Sequence, residues 1–243
     1  GPFKATINAA VGQPYGAIMG TNFVYDADGN KVVDKTGRYL KTTAVEVLGT
    51  VLPDYNMGIS NEFNYKNFSL SALIDIQKGG SYFSTSHMWG MYSGMLDESV
   101  WQNGVDIREN GIVLDAVYGK LNANGTVQYI DKAGANTTSA VKNATYITAE
   151  RYGGDFYSRA DAQEDFDASY VKFRELSLSD TIPSKYTGVV KNVRLGLFGR
   201  NLAIWGLDNQ HFDPESAVTS SGNIQGIEGA ALPPAPRGLA ASG

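Results

Sequence analysis

The side chains best suited to chemistry are few and poorly grouped. Asp161, Glu164, Asp165 and Asp167 form the densest run of carboxylates. Such a set could bind a cation or supply the paired acids of glycoside hydrolysis. The sequence around them offers no apolar frame that would raise a pKa, so a solvated acidic stretch is expected. Asp26-Ala27-Asp28-Gly29-Asn30 has the outline of a calcium loop, but an EF-hand needs Gly at its sixth position and Glu at its twelfth. Counted from Asp26, those positions hold Lys31 and Gly37. A hairpin turn that places Asp-Gly-Asn at positive φ fits better. Gly90-Met91-Tyr92-Ser93-Gly94 lacks the Gly-x-Ser-x-Gly order of a nucleophile elbow. His87 and His211 stand alone, without metal-ligand spacing. Cysteine is absent, which excludes disulfides, thiol catalysis and Cys-based metal centres. No phosphate-cradling glycine motif occurs. The residues therefore predict no enzyme, no cofactor and no metal site.

Aromatic and small residues dominate instead. The 243 residues include 14 Tyr, 10 Phe, 3 Trp and 28 Gly, a balance that favours β structure. With 20 basic against 25 acidic residues the net charge is −5, which argues against nucleic-acid binding. The N-terminus has no signal-peptide pattern, and no apolar run reaches the ~18 residues of a helical span. Membrane-crossing strands escape that test, since they need only ~9–11 residues of alternating polarity.

Such alternation is clear in two places. Ile59, Phe63 and Tyr65 alternate with Ser60, Glu62 and Asn64, and Phe68, Leu70, Ala72, Ile74 and Ile76 with Ser69, Ser71, Asp75 and Gln77. The Lys66-Asn67 link between them reads as a tight hairpin. Leu176, Leu178 and Ile182 alternate with Glu175, Ser177 and Ser179 up to Pro183, and Val193, Leu195 and Leu197 follow. A further strand is expected over Phe3–Val11, a hairpin over Asn22–Tyr25 and Lys31–Val33, and a short helix within 85–101. Expected strands thus lie near 3–12, 56–66, 67–78, 170–182 and 191–203. Long loops occupy 13–53, 79–167 and 205–243. Strict alternation also places Lys172 and Arg174 on the face of Leu176 and Leu178, near the long-loop end, where they could snorkel to headgroups. Short links alternating with very long ones suit an outer-membrane barrel, whose turns are tight on one side and long on the other. Phe63, Tyr65 and Phe68 would then sit at the membrane–water interface beside the short turn. A soluble β-sandwich binding module shows the same alternation and stays open on periodicity alone.

Particular residues add a resemblance. Val11-Gly12-Gln13-Pro14-Tyr15-Gly16, Tyr65-Lys66-Asn67-Phe68-Ser69-Leu70 and Ile74-Asp75-Ile76-Gln77-Lys78-Gly79-Gly80 resemble the C-terminal part of SusC/RagA-family TonB-dependent outer-membrane transporters. Tyr170-Val171-Lys172-Phe173-Arg174-Glu175-Leu176-Ser177-Leu178-Ser179, Thr181-Ile182-Pro183, Gly199-Arg200-Asn201-Leu202, Asp213-Pro214-Glu215 and Pro234-Ala235-Pro236-Arg237 follow in that family's order. The series covers nearly the whole chain, and its order is more specific than any one piece. The resemblance implies an all-β fold: a segment of a large antiparallel transmembrane β-barrel with long extracellular loops, in the bacterial outer membrane. It implies import of oligosaccharides or peptides, a SusD-like surface lipoprotein as partner, contact with outer-membrane lipid, and TonB coupling through a plug-bearing N-terminal part outside this chain. Asp180 departs from the pattern, standing where the family has an aromatic. Gly238–Gly243 also departs, lacking an alternating final strand.

Within that frame the loop aromatics Tyr82, Trp89, Tyr92, Trp101, Tyr157 and Trp205 become candidates for substrate or lid contact, against the plainer role of packing the loops together. Glu62, Asp75, Glu175, Arg194 and Arg200 become candidate lumen-facing groups, with cross-strand pairing the plainer role.

Overall fold

The computed structural model describes residues 4–9, 11–188, 190, 193–217, 226–229 and 238–242. Phe3, the 234–237 motif and Gly243 lie outside them.

Period-2 sequence becomes an open antiparallel meander. Strands β1 (Tyr55–Tyr65), β2 (Phe68–Lys78), β3 (Tyr170–Ile182), β4 (Val193–Trp205) and β5 (Gly238–Ser242) pair in chain order. Lys66 closes the first hairpin at φ 55. The last strand corrects an expectation: 238–242 does not alternate, yet its backbone pairs with β4 from Gly196↔Ser242 to Arg200↔Gly238. Ladder hydrogen bonds join backbones, so a strand can pair without an alternating pattern.

Register assigns the faces, because directly opposed residues share one. Ile59 opposes Ile74, Phe63 opposes Leu70 and Tyr65 opposes Phe68. Leu70 opposes Leu178, which opposes Leu197. One side of the sheet is therefore mainly apolar, and Phe63, Tyr65, Leu195 and Leu197 on it are exposed. Asp180 lies on this side as well, opposite Phe68 and Leu195. The other side carries Glu62 opposite Ser71, Asp75 opposite Lys172, Glu175 opposite Arg200 and Thr181 opposite Arg194. An 11-residue strand is about 36 Å long and, tilted by about 45°, about 25 Å tall, the height of the apolar band of a membrane barrel.

One irregularity overturns a sequence expectation. The register slips between Phe173 and Glu175 against both neighbours. On the β4 side Asn201 takes the left-handed φ of 49. One extra residue inverts the alternation beyond it. Lys172 consequently shares the polar face with Glu175, not the apolar face with Leu176 and Leu178. It is 4% exposed and does not reach toward headgroups.

The expected N-terminal strand is also corrected. It spans only Thr6–Asn8 and pairs with Ala17–Gly20, separate from the meander. Gly12 at φ 81 turns the chain soon after.

The long loops fold into a body of their own. Three small sheets join Thr6–Asn8, Ala17–Gly20 and Glu46–Thr50; Val32–Val33, Val117–Leu121 and Val127–Tyr129; and Ser81–Ser84, Asp165–Asp167 and Ile227–Glu228. Val33, Leu114, Ala116, Tyr118, Ile130 and Ile147 form its largest cluster. Among the described residues every buried hydrophobic side chain lies in this body except Tyr170 at the end of β3. The meander thus buries no core of its own. The Asp26 turn is a hairpin: Asp26 Oδ1 accepts from the N–H groups of Asp28 and Asn30, and Gly29 sits at φ 83. Helix α1 (Thr85–Tyr92) is capped by Ser84, whose Oγ accepts from the His87 N–H. Helix α2 (Ala149–Ser158) packs across it. Among the described residues no helix is long and apolar enough to cross a membrane, which says nothing about strands.

Candidate functional site

Helix periodicity splits α1 in two. Met88 and Met91 point into the body, while Trp89 and Tyr92 point out. Helix α2 comes close enough that a Cβ on Gly153 would lie 2.5 Å from the Met91 carbonyl oxygen, so only glycine permits this crossing. The crossing brings Tyr157 onto Trp89. Their rings stack with centroids 5.3 Å apart, and Tyr92 stands edge-on to both, at 5.6 and 5.9 Å. The three remain 44%, 54% and 46% exposed for Trp89, Tyr92 and Tyr157. Lys4 Nζ lies 5.8 Å from the Tyr157 ring centre.

A cavity of about 390 Å³ adjoins this triad, lined by Tyr92, Ser93, Ser99, Arg108, Thr148 and Glu150, among others. Arg108 is held there by donating to the Gly94 carbonyl at 2.7 Å. Exposed ring faces beside hydroxyls, one guanidinium and one carboxylate can stack on a ligand and orient it by hydrogen bonds. Nothing in the set is an activated nucleophile.

Three of the six candidate aromatics come together, and three do not. Tyr82 is 1% exposed, packed against Phe166, Ala168 and Ala217, and so cannot touch a ligand or partner. Its strand Ser81–Ser84 is covered on both faces, with Tyr82, Phe83 and Ser84 all buried. Trp101 sits exposed on the two-residue strand Trp101–Gln102. Trp205 ends β4 opposite Val171 on the apolar side. Among the described residues neither makes a ring contact with the triad.

The five charged candidates all lie on the polar face of the meander. Asp75 receives two hydrogen bonds from Arg174, at 2.6 and 3.0 Å. Glu175 lies 3.3 Å from Arg200. Arg194 donates to Ser179 Oγ at 2.7 and 3.1 Å, and Glu62 accepts from Asn64 at 3.0 Å. Each has a local partner.

Contrary to expectation, most of the acidic stretch is covered, and only Asp167 is exposed. Asp161 accepts from the N–H and hydroxyl of Thr21, both at 2.8 Å, and pairs with Lys4 at 2.9 Å. Glu164 is fully buried against His87 Nδ1 at 2.8 Å, and burial pushes its carboxyl above the usual range. Asp165 is raised by burial to about 7, with Asp208 adding to the shift. The two histidines are not isolated either. Their rings are 6.4 Å apart, and His211 Nε2 meets Glu98 at 2.8 Å. These partners stand 77 and 113 positions apart in the chain, and no sequence spacing signals them. Among the described residues no group of three or more acidic or histidine ligands could hold a metal.

No family model matches the chain. Over 200 residues it is 22% identical to TonB-dependent receptor P3 of Formosa agariphila, covering 82% of this chain and 16% of that protein. Among solved structures, the RagAB peptide importer in its open-open state superposes with a TM-score of 0.49 at 15% identity, over 98% of this chain and 24% of that one. Its closed-closed state gives 0.48 at 17% identity, over 98% and 22%. The chain therefore spans about a sixth of the curated relative and under a quarter of the solved chains. It is similar to a portion of a TonB-dependent receptor.

Proposed function

We propose that this chain is part of an outer-membrane TonB-dependent importer, with the meander as barrel wall and the loop body on the extracellular side. The observation that carries the reading is the sheet itself: two opposite faces, one apolar and uncovered, one charged, with no core between sheet and solvent. Lipid suits the first face and an aqueous lumen the second. Glu62, Asp75, Glu175, Arg194 and Arg200 then line the lumen. The unpaired edges of the sheet are where neighbouring strands of the same barrel would join.

The Trp89–Tyr92–Tyr157 triad and its cavity serve as the contact surface for an oligosaccharide or peptide cargo, or for a SusD-like lipoprotein lid. TonB would engage a part of the protein outside this chain. The chain itself performs no catalysis. Uptake assays in the intact transporter test this reading. Trp89→Ala with Tyr157→Ala should lower cargo or lid affinity at least tenfold while the protein remains in the outer membrane at normal level. Unchanged uptake and unchanged lid binding would remove the triad from the function. Residues 1–243 expressed alone as a soluble, cooperatively folding monomer would instead favour a β-sandwich binding module.

A further inference from the structure

The segment 206–212 leaves the sheet at Trp205 and returns to it at Asp213. Trp205 opposes Val171, and Asp213 grips Lys172, the next residue of β3, so both ends of the segment are tied to one place. That is the plan of an Ω-loop. The returning end is held firmly. Lys172 Nζ donates to both Asp213 oxygens at 2.7 and 2.8 Å and also to Glu215. Arg174 bridges Glu215 and Asp75, and the Tyr170 hydroxyl donates to Glu215 at 3.2 Å. Asp213 also caps the short turn Pro214–Ala217, its carbonyl accepting from the Ser216 N–H and hydroxyl.

The segment between these ends is held weakly. Among the described residues none of its N–H groups donates to a backbone carbonyl. One of its links to the loop body is the His211–Glu98 hydrogen bond, between side chains that are 26% and 44% exposed. Asn209 is buried, and its amide nitrogen finds no partner there. Asp208 accepts from the Asp167 N–H at 3.0 Å but repels the Asp165 carboxyl when it ionises. Exposed pairs contribute little, while an unpaired buried donor and the repulsion between Asp208 and an ionised Asp165 oppose docking. Phe212 is the one buried apolar side chain that favours it.

We propose that 206–212 is a hinged flap, pivoting on the anchor at 213–217 and opening away from α1 by breaking His211–Glu98 and the Asp167–Asp208 hydrogen bond. Closed, it lays His211 against His87, the α1 residue whose ring also meets Phe156 of α2. Opening removes that support from the helix pair that carries the triad, whatever the triad binds.

Hydrogen exchange read by mass spectrometry on the intact protein tests the flap. Amides of 207–212 should exchange at least a hundredfold faster than those of 171–178. Glu98→Gln and His211→Gln should each speed the flap and α1 a further three- to tenfold, leaving 213–217 unchanged. Asp165→Asn, which relieves the repulsion, should slow the flap. The Asp213→Asn, Glu215→Gln pair should release 206–217 as a whole. Unchanged protection of 17–50 and 193–205 in each variant verifies folding. A flap protected as strongly as β3, or one that carries 213–217 with it in His211→Gln, would overturn the proposal.

Discussion

Asp165 shows how a residue's behaviour depends on what is packed over it. As part of a run of carboxylates it reads as solvated, yet the fold buries it beside Asp208 and raises it to about 7. A carboxyl whose folded pKa lies above its ordinary value binds its proton more tightly in the folded state. Its contribution is most favourable below pH 4 and is lost as pH rises through 7. Asp165→Asn should therefore stabilise the protein at pH 8 by about 1–3 kcal/mol and leave it nearly unchanged at pH 4, as thermal denaturation at both pH values would report. Equal effects at the two pH values would mean that the carboxyl is not buried in solution. Tyr82 makes the same point in reverse. Its aromatic ring marks it as a contact candidate, but the strand Ser81–Ser84 is covered on both faces, whereas Trp89, a few residues on, comes out because α1 is covered on one side only. Residue type was informative about what each side chain can do, and uninformative about whether it meets solvent.

At the scale of elements, alternation over 57–76 carries its strands openly, because each polar-to-apolar switch matches one step of the pleat. Alternation over 170–178 misleads, because one residue too many at the bulge exchanges the faces. The sign of that bulge in the sequence is faint: charged Lys172 and Arg174 followed without a break by Glu175. Its partner on β4 is Asn201, whose left-handed φ of 49 a β-branched residue resists. Asn201→Ile should cost about 1–2 kcal/mol, and Asn201→Gly should be neutral or better, by denaturant titration of the intact protein. Equal stability of both variants would show that the bulge can slide away from Asn201. The N-terminal strand fails for a different reason. Small Ala residues on both faces specify no buried side, and the chain pairs locally with Ala17–Gly20 instead.

For the whole molecule, the division of labour between sheet and loops is the main result. The strands bury almost nothing apolar, and the loops hold the core. A sheet with one uncovered apolar face behaves differently in lipid and in water, and this can be measured. Leu176 lies near mid-strand on the apolar side and Ser177 on the polar side. Leu176→Lys should cost about 2–4 kcal/mol in refolding into lipid vesicles, and Ser177→Lys much less. Similar costs for the two would argue that neither face meets lipid. By itself the sequence determined the strand alternation, the tight Lys66-Asn67 turn, the absence of thiol chemistry and the family likeness, because each is written in the types and spacing of neighbouring residues. Only the tertiary structure decided that Asp161 and Glu164 of the acidic run are buried, that His87 and His211 meet, that three of six aromatics form one surface, and that Lys172 faces the charged side. Those outcomes depend on contacts between residues far apart in the chain and on a one-residue slip in register. Local pattern carries no term for either.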